Sequence, residues 1–389
     1  MRVLWLPADN GGCGFYRIIQ PALTIAKMGL AESKVLNRSR SAELEDWLAN
    51  CDVLVTQRQK WSPSMAKYKE THPDTLIVDE NDDNMYLTDP YSGHYRDTGT
   101  REVIEPDPTG ELKRQWGIEV TDKRVLPDGS IHLWKDGEDG FDIVRNVEKV
   151  RTFNEALTES DILTTTGPDL RNVFKKFNHR TYTIPNAIDF TKWGVSDKQK
   201  KEIRIGWHGG MSHYKDWYDV MEPLGELFKS NKKLKLVITG DIFEGIYKYV
   251  PREQIEHHSW VHIMAHPYFQ RLLKIDIAFI PLADNEFNRC KSDVKFLEFS
   301  AMGVPCVVAN MTPYKETVGY NKLGLTYNST DEAIVNLKMF IDNPKLRKEY
   351  GDKANTWVHE NRDILGVAPG IVELFQEQRD KKVNKICLA

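Results

Sequence analysis

Residues 284–310 read DNEFNRCKSDVKFLEFSAMGVPCVVAN. An apolar run, IDIAFIPL, precedes them and has the length of a buried strand. The spacing then predicts a helix from about Asp293 to Met302, stopped by Gly303 just past its last turn and by Pro305 beyond. CVVA supplies the next buried strand, so the stretch reads as one strand–helix–strand unit of an α/β fold.

On a wheel of about 100° per residue, Lys291, Lys295 and Glu298 fall on one narrow stripe. Val294, Leu297 and Ala301 flank it on one side, Phe296 and Phe299 on the other. A solvated charged face would not be hemmed in by apolar residues on both sides. The free N–H groups and dipole of a helix start favour an anion. Lys291, Ser292 and Lys295 are therefore read as facing a phosphate, and Glu298 as an acceptor for hydroxyls. The alternative is an internal Lys–Glu pair in a buried helix.

Outward from this stretch, 389 residues with 40% hydrophobic and 28% charged side chains fit two domains, each able to bury its own core. A formal charge of −4 does not advertise a nucleic-acid or membrane binder, although residues 198–204 and 229–235 carry local basic clusters. Five cysteines, odd in number and never paired as CxxC, fit a reducing compartment without disulfides or zinc. The chain opens directly on a strand and holds no apolar run of about 18 residues. A cytoplasmic protein without a membrane span is expected.

The first strand, RVLWLP, leads through DNGGCGFYR into a helical pattern, the opening unit of a doubly wound domain. Gly11, Gly12 and Gly14 would let backbone N–H groups approach a ligand, with Arg17 close behind. The spacing GGxGxxR lacks the full dinucleotide pattern, and a tight structural turn explains it equally well. Strands at DVLVTQ, TLIVDE, DILTTT and TYTIP alternate with helices and predict a parallel sheet. The run of acids at the carboxyl end of TLIVDE, Asp79, Glu80, Asp82 and Asp83, could supply a base, bind a metal or stand in water. Between Tyr91 and Val144 a Gly- and Pro-rich insertion carries a hairpin, VLPDGSIHLWKDG, turned by its Asp-Gly pair. His94, Tyr95, Arg96 and Trp134 are its candidates for acceptor contacts, against the plainer reading of a surface flap.

PNAID at 185–189 marks a crossing, and IRIGWHG opens a second sheet that ends in Gly209 and Gly210. His213 and Lys215 follow in a loop before an amphipathic helix expected from Trp217 to Phe228. Lys215 is placed to reach a diphosphate, or else is a solvated loop lysine. VHIMA is expected as a strand, with His266 and Tyr268 beside it flanking a base ring. The last helices, about 330–342, 344–361 and 368–382, are expected to cross back to the first domain.

KFLEFSAMGVPCVVAN resembles the LEAMAxGxPVVA segment of GT-B glycosyltransferases of family 4, and IPNAID resembles their IPNGVD linker. WHGGMSHYKD is similar to their GRLxxxKG loop, and GGCGFYR to their N-terminal glycine loop. The resemblance implies two facing Rossmann-like domains with an interdomain cleft. Residues 1–188 would form the acceptor side, 189–365 the nucleotide-sugar side, and 366–389 a helix packing back. It implies a nucleotide-sugar co-substrate, a uridine diphosphate sugar above all, retention, and no essential metal or cofactor. Glu298 matches the second glutamate of the family's E-x7-E motif, which holds the ribose, and Lys215 the diphosphate lysine. Cys290 falls where the first glutamate contacts the sugar, and Gly210 where the family has arginine; Glu286 is the nearby carboxylate that could substitute.

Lys215, Lys291, Glu286 and Asp82 are thus the catalytic candidates. FNRCKSDVKFLE, DENDDN and LWKDG look most like a phage and bacterial branch, some of whose phage members glycosylate hydroxymethylated bases, so modified DNA is one acceptor implied. The rival expectations are a silent nucleotide-sugar binder and an epimerase or phosphorylase on the same fold.

Overall fold

The computed structural model describes residues 1–88, 122–125, 131–135, 138–139, 143–196, 201–243 and 245–387. Strand β1 (Arg2–Leu6) is apolar after its first residue and buried along its length, as a strand covered on both faces must be. It is followed by β2 (Glu32–Val35), β3 (Val53–Gln57) and β4 (Leu76–Asn81). Strands β5 (Asp122–Val125), β6 (Ile131–Lys135) and β7 (Glu138–Asp139) form a small antiparallel sheet, in which β5 and β6 make the expected hairpin. With β8 (Ile162–Thr165) and β9 (Thr181–Thr183) the first large sheet is complete, parallel throughout, in the order β2-β1-β3-β4-β8-β9.

The second sheet holds β10 (Ile203–Gly209), β11 (Leu234–Gly240), β12 (Ile255–His258), β13 (Ile277–Ile280), β14 (Cys306–Ala309) and β15 (Leu325–Tyr327). Its order, β12-β11-β10-β13-β14-β15, is that of a dinucleotide-binding domain, again all parallel. In such sheets ligands bind beyond the carboxyl ends of the strands where the order reverses. Those points are β1/β3 in the first sheet and β10/β13 in the second.

Two departures lie at sheet edges. Strand β2 (ESKV) was not expected, and the third strand of the second unit is IEHH, not VHIMA, which forms turns. An edge strand is covered on one side only and needs no apolar run, so neither has one. The single helix expected over Trp217–Phe228 is two, Tyr214–Tyr218 and Met221–Ser230. Pro223 explains the break, because a proline is tolerated only in a helix's first turn and forces a restart just before it.

The chain crosses between the sheets twice, and the crossings pair. Ile188 N–H donates to Arg362 O at 2.7 Å, and Ile364 N–H returns to Ile188 O at 2.9 Å. The last helix, Ile364–Cys387, then lays Ala368, Ile371 and Phe375 against Val3, Trp5 and Val78 of the first sheet's core. Lys382–Asp161 and Arg379–Asp52 pairs, each at 2.7 Å, tie its outer end to the same unit.

Asp79, at the centre of β4, is fully buried, and burial pushes its carboxyl up to about 7 against an opposing hydrogen bond from Gln59 N–H. The native state therefore holds a proton that the unfolded chain has released, so stability falls as pH rises from about 4 to 7. Asp79→Asn removes that loss, and Asn81, whose Oδ1 has no partner, can turn to accept the new amide. The expected gain is on the order of 2–4 kcal/mol at pH 8 and little at pH 4, read from urea melts at the two pH values. An equal gain at both would remove the ionisation account.

Candidate active site between the two sheets

The helix at the centre of the sequence argument runs Val294–Ala301, one residue shorter at each end than expected. Its end is set by Gly303, whose φ of +68° suits a residue without a Cβ. Gly303 N–H bonds Ser300 O at 2.9 Å and Val304 N–H bonds Phe299 O at 3.0 Å, the paired closure of a Schellman motif. Phe296, Leu297, Phe299 and Ala301 are buried in the second sheet's core. That packing fixes the helix's rotation and points the remaining stripe outward.

The stripe opens on a cleft of about 500 Å³ between the two switch points. Lys291, Ser292, Lys295 and Glu298 line it with His208, Gly209 and Gly210 from the end of β10. Gly11, Gly12 and Cys13 from the loop after β1, and Asp82 from the end of β4, line it from the other side. The volume is that of a small-molecule site.

Glu298 is 3% exposed and is held from three directions. Tyr16 donates its hydroxyl to Oε1 at 2.5 Å, across the cleft from the first unit. His208 Nε2 lies 2.9 Å from Oε2, and His266 Nε2 3.7 Å from Oε1. Burial alone would raise the carboxyl, but His208 and His266 outweigh it and keep Glu298 ionised well below the usual carboxylate range. Burial, Glu298 and its hydrogen bond together push the Tyr16 phenol well up, so Tyr16 stays a donor.

A second chain of contacts lies beside the first. Asp216 Oδ1 accepts from Ala283 N–H at 2.9 Å and from Asn288 Nδ2 at 2.6 Å. Its Oδ2 sits 2.5 Å from His213 Nδ1, and His213 Nε2 is 2.7 Å from Lys295 Nζ. Burial, with Lys295 and Lys291 nearby, drives His213 well below its ordinary value and leaves it neutral. Burial lowers Lys295 to about 8, Lys291 adding to the effect and Asp216 opposing it. Lys291, half-buried, packs its ammonium over the Phe287 ring at 4.5 Å.

Several expected site residues lie elsewhere or do other work. Arg17 borders the cleft, but its guanidinium is locked in a buried pair with Glu80, at 2.7 and 3.0 Å, and also donates to Ile184 O and Asn186 Oδ1. In the glycine loop, the N–H groups of Gly11 and Gly14 are both taken by Asp9 Oδ1, at 2.8 and 3.1 Å. A Cβ at Gly14 would stand 1.8 Å from Asp9 O, so that glycine serves the turn. Lys215 is exposed and off the cleft wall, since the Tyr214–Tyr218 helix turns Asp216 inward in its place.

Glu286 is likewise exposed. Cys290 packs among Phe153, Leu157 and Phe174 of the first unit, its thiol pushed up to about 11 by burial. His266 is turned to Glu298, and Tyr268 is 65% exposed, so the pair does not flank a common ring. His94, Tyr95 and Arg96 lie outside the described residues, as does the side chain of Trp134.

Tyr16, His208 and Asp216 were not expected. His208 had a visible signal, its place at the end of β10; the partner of Tyr16 is 282 positions away, and those that hold Asp216 from outside its own turn are 67 and 72 away. Among the described residues two groups have the donor spacing of a cation site: His208, His266 and Glu298, and Cys13, Asp82 and Asp83. In the first, the imidazoles and Tyr16 already serve Glu298. In the second, Asp82 also meets Arg58 at 3.5 Å.

No protein-family model matches the chain, and no curated protein matches its sequence. Its fold does match solved structures. A sucrose-phosphate synthase from Thermosynechococcus elongatus superposes with a TM-score of 0.63 over 97% of this chain and 99% of that one, at 11% identity. Anabaena HepE in complex with UDP gives 0.57 at 10% identity, covering 97% of this chain and 100% of that one. TarM gives 0.54 at 12% identity over 83% of this chain, which spans 54% of TarM. At these identities the likeness is one of fold: two parallel six-stranded sheets facing across a cleft, the GT-B arrangement.

Proposed function

We propose that this chain is a glycosyltransferase of the family-4 type that moves a sugar from a nucleoside diphosphate donor to an acceptor hydroxyl. One observation carries the reading. Lys291, Ser292, Lys295 and Glu298, contiguous on one helix and its lead-in, line a single cleft opposite the loop after β1. Two cations and a hydroxyl suit a diphosphate, and an ionised carboxylate one turn on suits the two hydroxyls of a ribose. HepE has been solved with UDP and with UDP-glucose, which supports a uridine diphosphate sugar as donor here.

In this proposal the acceptor oxygen attacks the anomeric carbon from the face that the diphosphate leaves. The electron pair of the breaking C–O bond passes to the diphosphate, and the acceptor proton follows to a phosphate oxygen, so configuration is retained. Lys291, Ser292 and Lys295 stabilise the charge that develops, where a fixed electrostatic site lowers the barrier most. Their charge makes a metal inessential to the transfer. Asp82, across the cleft, orients the acceptor. Lys215 has no part, because Lys291 and Lys295 occupy the wall that it does not reach.

Calorimetry with UDP-glucose tests donor binding, and its pH profile tests the lysine. Both phosphates of the donor are diesters with fixed charge and only the uracil N–H begins to ionise in alkali, so the part of the slope that Lys295→Met removes is the part that reports on the lysine. Lys295, lowered to about 8, binds as an ammonium and loses its proton above that value. Affinity should hold from about pH 7 to 7.5, above the Asp216 titration near 6, and then fall toward about tenfold per unit as pH rises through 8 to 9, a slope that Lys295→Met removes. A flat profile in the unaltered protein would refute the role of Lys295.

The acceptor extends the proposal to hydroxymethylpyrimidine DNA, on the resemblance to the phage branch. Transfer of labelled glucose to hydroxymethylated but not unmodified DNA is the expected result. One observation favours a second reading, a binder without turnover: Cys290 is packed away from the cleft and Glu286 is exposed, so neither replaces the family's sugar-contacting glutamate. Binding of UDP-glucose with neither transfer nor hydrolysis would establish it.

A further inference from the structure

We infer that Asp216 and His213 are positioning residues that set the direction of Lys295, the ammonium facing the donor diphosphate; the ligand half of this rests on the donor-binding reading above. The geometry imposes the order of donors. Asp216 accepts at Oδ1 from Ala283 N–H and Asn288 Nδ2; burial pushes its carboxyl up to about 6, so at neutral pH it is a carboxylate and can only accept at Oδ2. His213 must therefore carry its proton on Nδ1, 2.5 Å away. That tautomer leaves Nε2 with a lone pair, and the atom 2.7 Å from it is Lys295 Nζ, which donates. One of the three ammonium N–H groups is thereby fixed, and rotation about the Cε–Nζ bond stops. The other two are held at set angles toward the cleft, which Lys295 and His213 both line.

The same carboxylate reaches the second lysine by another route. Asn288 also donates to Ala283 O at 2.9 Å, and its own N–H is capped by Asn285 Oδ1 at 2.8 Å. Asp216 thus anchors the turn that delivers Lys291 and Ser292. Its hydrogen bonds on both oxygens offset part of its buried cost, and both cationic groups of the site hang from it. A free lysine loses rotamer entropy on being fixed by a ligand, and a lysine already held loses less.

Two substitutions of His213 separate positioning from mere filling. His213→Gln carries an amide oxygen to about the place of Nε2 and can accept from Lys295, while giving up the bond to Asp216. His213→Asn keeps a donor for Asp216 and cannot reach Lys295. A structural role predicts that Asn is the milder change. The relay predicts the reverse: UDP-glucose Kd within about threefold of the parent for Gln, and weaker by tenfold or more for Asn. Asp216→Asn is the second variant. Its amide presents N–H to His213 Nδ1, reverses the tautomer, points Nε2–H at the ammonium, and should match His213→Asn.

A ligand-free arm keeps the two readings apart. The groups that face Lys295 are Lys291 before its helix, Glu298 one turn on, Asp216, His213, His208 at the end of β10, and Asp83 beyond β4. The pH midpoint of Lys295 acylation by trace acetic anhydride, read by peptide mass spectrometry, should agree between parent and His213→Gln. It should fall by about half a unit or more in His213→Asn and Asp216→Asn, where the ammonium loses its acceptor. That order, in a parent that does not bind UDP-glucose, would keep the relay and remove the donor reading. Equal midpoints in all four proteins, or Asn milder than Gln in either arm, would overturn the relay.

Discussion

Glu298→Ala is expected to weaken UDP binding by about 30- to 150-fold and to erase any preference for the ribose diol. A carboxylate offers about four acceptor positions. Tyr16 takes one on Oε1, and His208 Nε2 faces Oε2 at 2.9 Å, with His266 farther off. The positions left over are those offered to the 2′ and 3′ hydroxyls of a ribose in the cleft that Glu298 lines. The charge strengthens both bonds, and His208 and His266 keep it in place well below neutral pH.

A comparison of UDP with its 2′,3′-dideoxy analogue isolates this contact. The unaltered protein should prefer UDP by a factor close to the loss that alanine causes, and Glu298→Ala should bind the two alike. Discrimination that survives in the alanine variant would place the ribose elsewhere. Glu298→Ala also leaves the Tyr16 hydroxyl without its buried acceptor, so a lower Tm accompanies the loss. Glu298→Gln, which can still accept from Tyr16, should retain most of the Tm and only part of the affinity.

The central stripe was legible because its evidence is local. Lys291, Lys295 and Glu298 are seven residues apart at most, and the apolar flanks that orient them lie in the same helix. The strands were legible for a similar reason, since a parallel sheet covered on both faces writes itself as short apolar runs; β2 and β12, at the edges, wrote nothing. What failed was whatever depends on a distant partner or on a shift of one residue. Lys215 and Asp216 are neighbours in a turn, and only the path into the Tyr214–Tyr218 helix decides which of them faces inward. Cys290 matched a motif position by spacing, yet its surroundings come from Phe153, Leu157 and Phe174, more than 110 positions earlier. Arg17 looked like a ligand contact because it follows a glycine turn, and nothing nearby in sequence announces Glu80.

Arg17→Met should cost about 3–5 kcal/mol of stability, because the buried Glu80 is left without its cation. The pair is as enclosed as any among the described residues, each side chain 3% exposed. Arg17 also donates to Ile184 O at 2.6 Å and Asn186 Oδ1 at 2.9 Å, so it joins β4 to the segment that crosses between the two units. At roughly 2–4 °C per kcal/mol for a unit of this size, the melt should fall by about 6–20 °C. The double variant Arg17→Met with Glu80→Met should recover more than half of that loss, since two apolar side chains fill the space without a buried charge.

The pH dependence has a definite sign. Burial already raises Glu80, with Arg17 opposing it. Without Arg17 the carboxyl takes up a proton more readily in the native state than in the unfolded chain, so lowering the pH favours the native state of the variant. The penalty of Arg17→Met should therefore be largest at pH 8 and shrink toward pH 5. A donor-binding arginine predicts the opposite pattern, an unchanged melt and a large loss of UDP affinity. Because Arg17 has every strong contact filled within the protein, the melt is the measurement expected to move.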